Sequence, residues 1–130
     1  MLHKNFSIYL GKEVDEIFSG FIVDENLLLI IKIDNLVSKE KIREDLKDIS
    51  SNISNQNIQN LNDFEYYLSS KWREHNLPTE FSYAAGFLSD NKLYLKTNFK
   101  GQIFLRKGKD FAKIIEGENK ASGIIEEGDY

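Results

Sequence analysis

The chain has no cysteine, one proline, one tryptophan, one methionine and two histidines among its 130 residues. The missing cysteines exclude disulfides and thiolate metal centres. Two imidazoles, His3 and His75, are too few for a histidine-based zinc site. The N-terminus, MLHKNFSIYL, lacks the apolar core of a signal peptide. No apolar run approaches the ~18 residues needed to cross a bilayer. Positive charge is not in excess either. Seventeen Lys and Arg face 21 Asp and Glu, for a net charge of −4, which disfavours a general nucleic-acid binder but leaves local basic patches open. Glycine-rich phosphate loops, dinucleotide fingerprints, zinc motifs and a Ser-His-Asp order are all missing. The expectation is one domain over residues 1–130, cytoplasmic, with no membrane contact, or else the leading part of a longer protein.

What is present is patterned apolar sequence. Residues 5–10 alternate Phe6, Ile8 and Leu10 with polar neighbours, which predicts a strand. Residues 17–23 predict a second strand, with a bulge at Gly20. After the turn Asp24-Glu25-Asn26 comes LLLIIKI, 27–33, the pattern of a central strand covered on both faces. Ser38 is a good N-cap for a helix, with Val37 placed to staple onto Ile42. Ile42, Leu46, Ile49 and Ile53 share one face of it. Residues 50–60 are rich in Ser, Asn and Gln and predict a frayed end or a loop. A second helix is expected from an Asn62 cap, with Glu65 in a capping box, Leu61 stapled onto Tyr66, and Phe64, Leu68 and Trp72 on one face. It stops near His75-Asn76, before Pro78.

The stretch from Phe81 to Ile115 organises the rest. Residues 81–88 carry Ala84, Ala85 and Gly86 at their centre, small enough to let another layer approach closely. Short turns then separate 92–97, 102–106 and 111–115, which predicts an antiparallel meander; Ala121 to Ile125 follows a last loop. The fold class is α+β, a mostly antiparallel sheet with two antiparallel helices packed on one face.

Several strings, in order, resemble the metal-dependent Ser/Thr protein phosphatases of the PPM type. They are the acidic pair Asp15-Glu16, the apolar strand 27–33 ending in Asp34, the small-residue strand from Phe81, the segment from Leu93 to Leu105, and Glu127-Gly128-Asp129. The resemblance implies part of a β-sandwich flanked by helix pairs. It implies Asp34, Asp15 and Glu16 as metal ligands, for Mg²⁺ or Mn²⁺ held weakly. Departures are equally specific. Asn35 stands where the family has glycine, and Asn98-Phe99-Lys100-Gly101 replaces the family's Gly-Asp-Ser turn. Lys12 is at best a loose counterpart of its phosphate-binding residue. The family's remaining metal-binding aspartates have no counterparts, and two metal ions need more oxygen ligands than these three acids offer. The implied protein is a phosphatase-like relative without a complete two-metal site, a binding or regulatory module rather than an enzyme, with no firm cofactor.

Two other readings compete. One is an unrelated small α+β interaction domain, whose partner is a protein or a second copy of itself. The other is single-stranded nucleic-acid binding through a basic face interleaved with aromatics: Lys92, Tyr94 and Lys96 on one strand, Phe104 and Arg106 on the next. The same lysines can equally be a solvated face that discourages edge aggregation.

Overall fold

A computed structural model of the chain describes residues 17–24, 26–34, 38–77, 81–107 and 109–125, with Lys107 described by its backbone alone. The expected strand 5–10, the Val37 staple, Pro78 and the Glu127-Gly128-Asp129 string lie outside these residues.

Among the described residues, seven strands and two helices follow in the order β1 (Ile17–Val23), β2 (Leu27–Asp34), α1 (Lys39–Ile53), α2 (Leu61–Glu74), β3 (Ser82–Ser89), β4 (Lys92–Asn98), β5 (Gln102–Lys107), β6 (Asp110–Glu116) and β7 (Asn119–Ile124). The class is α+β, as expected. Among the described residues, five strands form one antiparallel sheet in the order β1-β2-β3-β4-β7, while β5 and β6 pair with each other in a separate two-stranded sheet. The expected meander therefore breaks after β4. Gly101 explains the break: a Cβ there would stand 2.0 Å from the Tyr83 carbonyl oxygen. Phe99 takes a left-handed φ of 58°, and the Gly101 amide donates to Asn98 O. This turn presses against β3 and sends β5 out of the sheet plane. Strand β7 takes the vacated edge, pairing Leu95 with Ala121 and Thr97 with Asn119.

Both helices lie against the same sheet face. Along α1 the buried residues are Ile42, Asp45, Leu46, Ile49 and Ile53, the expected stripe plus one carboxylate. Ser38 caps it, accepting from the Lys41 amide. The cap of α2 is Asn60, not Asn62: its side chain accepts from the Asp63 amide at 2.9 Å, and the Asp63 carboxylate accepts from the Gln59 amide at 3.0 Å. Such reciprocal bonds satisfy amides that the helix leaves free. Asn62 lies two residues too late, inside the first turn, and Tyr66, expected to staple onto Leu61, is 70% exposed. The other end of α2 closes with a left-handed Asn76 at φ 55°. Leu77 N donates to Trp72 O and Asn76 N to Arg73 O, a pairing that satisfies two of the last helical carbonyls.

The helices run antiparallel. Lys41 near the start of α1 donates to His75 O after the end of α2, and the Tyr67 hydroxyl donates to Ile49 O. Between helices and sheet sits the core, built on Leu27, Leu29, Ile31 and Ile33 from β2 with Phe18, Tyr83, Ala85, Phe87 and Phe64. Each large apolar side chain buried there contributes roughly 1.5–3 kcal/mol. Gly20 makes no bulge, since β1 and β2 pair residue for residue. It leaves room instead for the Phe18 ring, whose atoms would lie 2.5 Å from a Cβ.

Candidate functional site

Strand β2 lies inside the sheet, with one face buried and the other, at Ile30, Lys32 and Asp34, exposed among the described residues. Its odd positions are buried, while Leu28 is half-buried and Ile30, Lys32 and Asp34 are exposed. The expected cover on both faces is not met at Ile30, which is 40% exposed. The second face is apolar yet open, which carries more information than scattered exposed apolar residues do.

Register shows how that face is built. Phe21 pairs with Ile30, and Val23 with Leu28. Ile30 pairs in turn with Ala84, and Leu28 with Gly86. Paired residues point to the same side of an antiparallel sheet, so two rungs run across it: Phe21-Ile30-Ala84 and Val23-Leu28-Gly86. The large residues on β1 and β2 form a ridge, with Phe21 44%, Val23 37% and Ile30 40% exposed. The small residues of β3 form a trough beside it.

The wall on the far side comes from the β4–β5 turn and the β5–β6 hairpin. Phe99, 51% exposed, stands there with Lys100 and Gln102, and a hollow of ≈ 410 Å³ lies between them and Ile30, Lys32 and Ala84. The hairpin is held down by the Thr97 hydroxyl, which donates to Gly117 O at 2.8 Å. That contact leaves Thr97 fully buried. The open part of the face is thus β1, β2 and β3.

Of the metal candidates, Asp34 is the last residue of β2 and exposed on this open face, at the end of the hollow near Lys32, Ser82 and Lys100. Asp15 and Glu16 lie outside the described residues. The five binding candidates do not come together. Lys92 is exposed at the start of β4, but Tyr94 and Lys96 are buried beneath α2, 5% and 7% exposed. The Tyr94 hydroxyl donates to Gln59 O at 2.9 Å, and Lys96 Nζ stands 3.3 Å from Glu65. Glu65 also meets Lys120 of β7 at 2.9 Å. Its carboxyl is held below the usual range by the hydrogen bond from Lys120, with that from Lys96 adding to the effect. What reads as a basic face is an ion-paired seam fastening α2 to the sheet. Phe104 and Arg106 are exposed on the separate hairpin, where Phe104 stacks on Phe111 with centroids 5.1 Å apart.

The structure also assembles a polar cluster that the sequence reading treated only as a helix end. His75 Nδ1 lies 3.0 Å from Asp45 Oδ1 and Nε2 2.7 Å from Asp48 Oδ2. The hydrogen bond to His75 pulls the Asp48 pKa below its ordinary value, and Lys71 reinforces it. Asp48, Glu74 and His75 could offer ligand atoms within 4.8 Å of one another. Lys71 Nζ, however, already stands 3.4 Å from Asp48 and 3.1 Å from Glu74. Burial works to lower the Lys71 pKa, but its bonds to Glu74 and Asp48 outweigh that and raise it. An ammonium therefore fills the position a metal ion would need, and the cluster acts as a clasp between α1 and α2. The spacing of Asp45 and Asp48, three apart on α1, was the signal that could have found it.

Among the described residues no helix is long and apolar enough to cross a membrane. Comparison with protein-family models, with curated proteins and with solved structures gives no match for this chain.

Proposed function

We propose that the chain is a non-catalytic binding module, related to the PPM-type phosphatases but without a complete two-metal site, and that its working surface is the open sheet face. One observation carries this reading: β2, an inner strand of the sheet, buries one side completely and presents Ile30, between Phe21 and Ala84, to solvent on the other. Contiguous apolar surface of this kind marks a place where another macromolecule sits. The order of elements and the position of Asp34 at the end of the apolar strand support the phosphatase-like part. Incubation with an aryl phosphate and Mn²⁺ tests it: no turnover above the protein-free rate is expected, and turnover that disappears in Asp34→Ala would overturn the non-catalytic reading.

An unrelated interaction domain would use the same face, and Asp34 separates the two readings. Weak Mn²⁺ binding that broadens the amide signals around Asp34, and is lost in Asp34→Ala, supports the phosphatase-like relation; its absence favours the unrelated domain. Tyr94 and Lys96 are tied beneath α2, away from any strand of nucleic acid on the sheet.

A further inference from the structure

We propose that the hollow between β2, β3 and the turn after β4 is a binding site for a small apolar monocarboxylate. This goes beyond the reading of the open face as a docking surface, because the ligand needs no partner protein on the ridge.

Strand register builds the anion end. Ser19 pairs with Lys32, and Lys32 with Ser82. Paired residues share a side of the sheet, so an ammonium stands between two hydroxyls, one rung beyond Phe21-Ile30-Ala84. All three residues line the hollow, and Lys100 lines it from the wall. The Lys100 amide donates to Ser82 Oγ at 3.2 Å, which uses that oxygen as acceptor and leaves its proton to donate. Lys71, Lys96 and Lys120 each meet a carboxylate. The Lys32 and Lys100 ammonium groups meet none among the described residues. Donors therefore dominate this end of the hollow, and donors select an anion.

Charge sets the valence of that anion. Lys32 and Lys100 against Asp34 leave the described lining with a single net positive charge. A carboxylate matches it. A phosphate monoester, at about −1.5 to −2 near neutral pH, would set more negative charge beside Asp34 than the lining offsets. The next rung supplies the apolar end, with Ile30 and Ala84 on the floor and Phe99 on the wall. Successive rungs on one side lie roughly 7 Å apart, the span of a carboxyl group and the ring that carries it. A volume of ≈ 410 Å³ suits a small ligand.

The test follows amide NMR signals of the full chain in metal-free buffer, titrated separately with benzoate, benzamide and phenyl phosphate. Lys32→Gln and Lys100→Gln remove one cation each from exposed positions, and Lys109→Gln, in the hairpin turn, is the control. Benzoate is expected to shift the amides of Ser82, Lys100 and Gly101 with saturation, and more tightly than the other two probes. Its affinity should fall about threefold or more in each of Lys32→Gln and Lys100→Gln, since exposed ion pairs are individually weak, and stay unchanged in Lys109→Gln. Added salt should weaken benzoate and leave benzamide unaffected. Benzamide binding as well as benzoate would overturn the anion site while leaving the open apolar face intact. Phenyl phosphate binding more tightly than benzoate would overturn the choice of a monocarboxylate. Benzoate shifts that persist undiminished in both Lys32→Gln and Lys100→Gln, or no shift with any probe, would overturn the proposal.

Discussion

At the scale of single residues, pairing decides which charged groups this protein keeps dry. Lys96 is almost fully buried, and Glu65 stands within ion-pair reach of it and of Lys120. Unpaired, such a lysine would be expelled or neutralised, because an isolated buried charge is far costlier than a paired one. The sequence shows the alternation of Lys92, Tyr94 and Lys96 but not the carboxylate 27 or more positions earlier that covers it, so a polar-looking face reads as wet when it is dry. The same carboxylates govern acid stability. Asp48 and Glu65 are both held below their ordinary values of 3.8 and 4.5. The unfolded chain therefore takes up protons at a higher pH than the folded one. Stability from these two groups is present above pH ~5 and is lost as pH falls through their unfolded values toward the folded ones. Thermal midpoints measured from pH 7 to pH 3 should drop in that window, and Asp48→Asn should flatten the drop while lowering the midpoint at neutral pH. A midpoint constant from pH 6 to pH 3 would show that neither carboxylate is coupled to folding.

At the scale of elements, what was legible followed from local chemistry, and what was not followed from pairing at a distance. Strand β1 begins and ends where its apolar pattern does, and Ser38 opens α1 as its side chain dictates. For α2 the sequence offers two asparagines, Asn60 and Asn62, each with an acidic residue three positions later. Only one can lie outside the first turn, and helix register against the sheet chooses it: Phe64 and Leu68, both fully buried, and Tyr67 point inward from a helix starting at Leu61. Asn60→Ala should therefore cost about 1 kcal/mol in chemical unfolding. Asn62→Ala, at an exposed position where the side chain accepts from Lys120 at 3.3 Å, should stay within about 0.5 kcal/mol of wild type. Equal losses would mean the helix begins later. The meander failed for a related reason. Turn length shows that β5 can fold back, but not that Gly101 is pressed onto the Tyr83 carbonyl and diverts it, leaving the edge of β4 to a strand 20 residues further on. For the open face, LLLIIKI announced a buried strand but could not show that, among the described residues, its even positions from Ile30 to Asp34 are exposed.

At the scale of the whole molecule, the chain divides into a well-buried body and a lightly held hairpin. The body is β1 to β4 with the two helices, tied by the core, by the Glu65 seam and by the His75 clasp. The hairpin of β5 and β6 contributes one buried apolar side chain, Ile115, while Phe104, Phe111 and Ile114 are exposed. Its ties to the sheet include Thr97 to Gly117 O and Gly117 N to Gly101 O. A two-stranded hairpin is marginally stable alone, and a shift in register between Ile103 and Phe104 interrupts its ladder. Local opening should therefore need much less free energy than global unfolding, since few buried apolar contacts break with it. Native-state hydrogen exchange of the full chain reads this directly. Amides of β5 and β6 are expected to exchange at least a hundredfold faster than those of β2 and β3, and to change little in rate when mild denaturant is added, while exchange from β2 and β3 speeds up and narrows the difference. If the hairpin amides exchanged at the global rate, the hairpin would be part of the cooperative core. The wall beside the trough would then be rigid, and the trough a fixed slot rather than one whose width follows the hairpin.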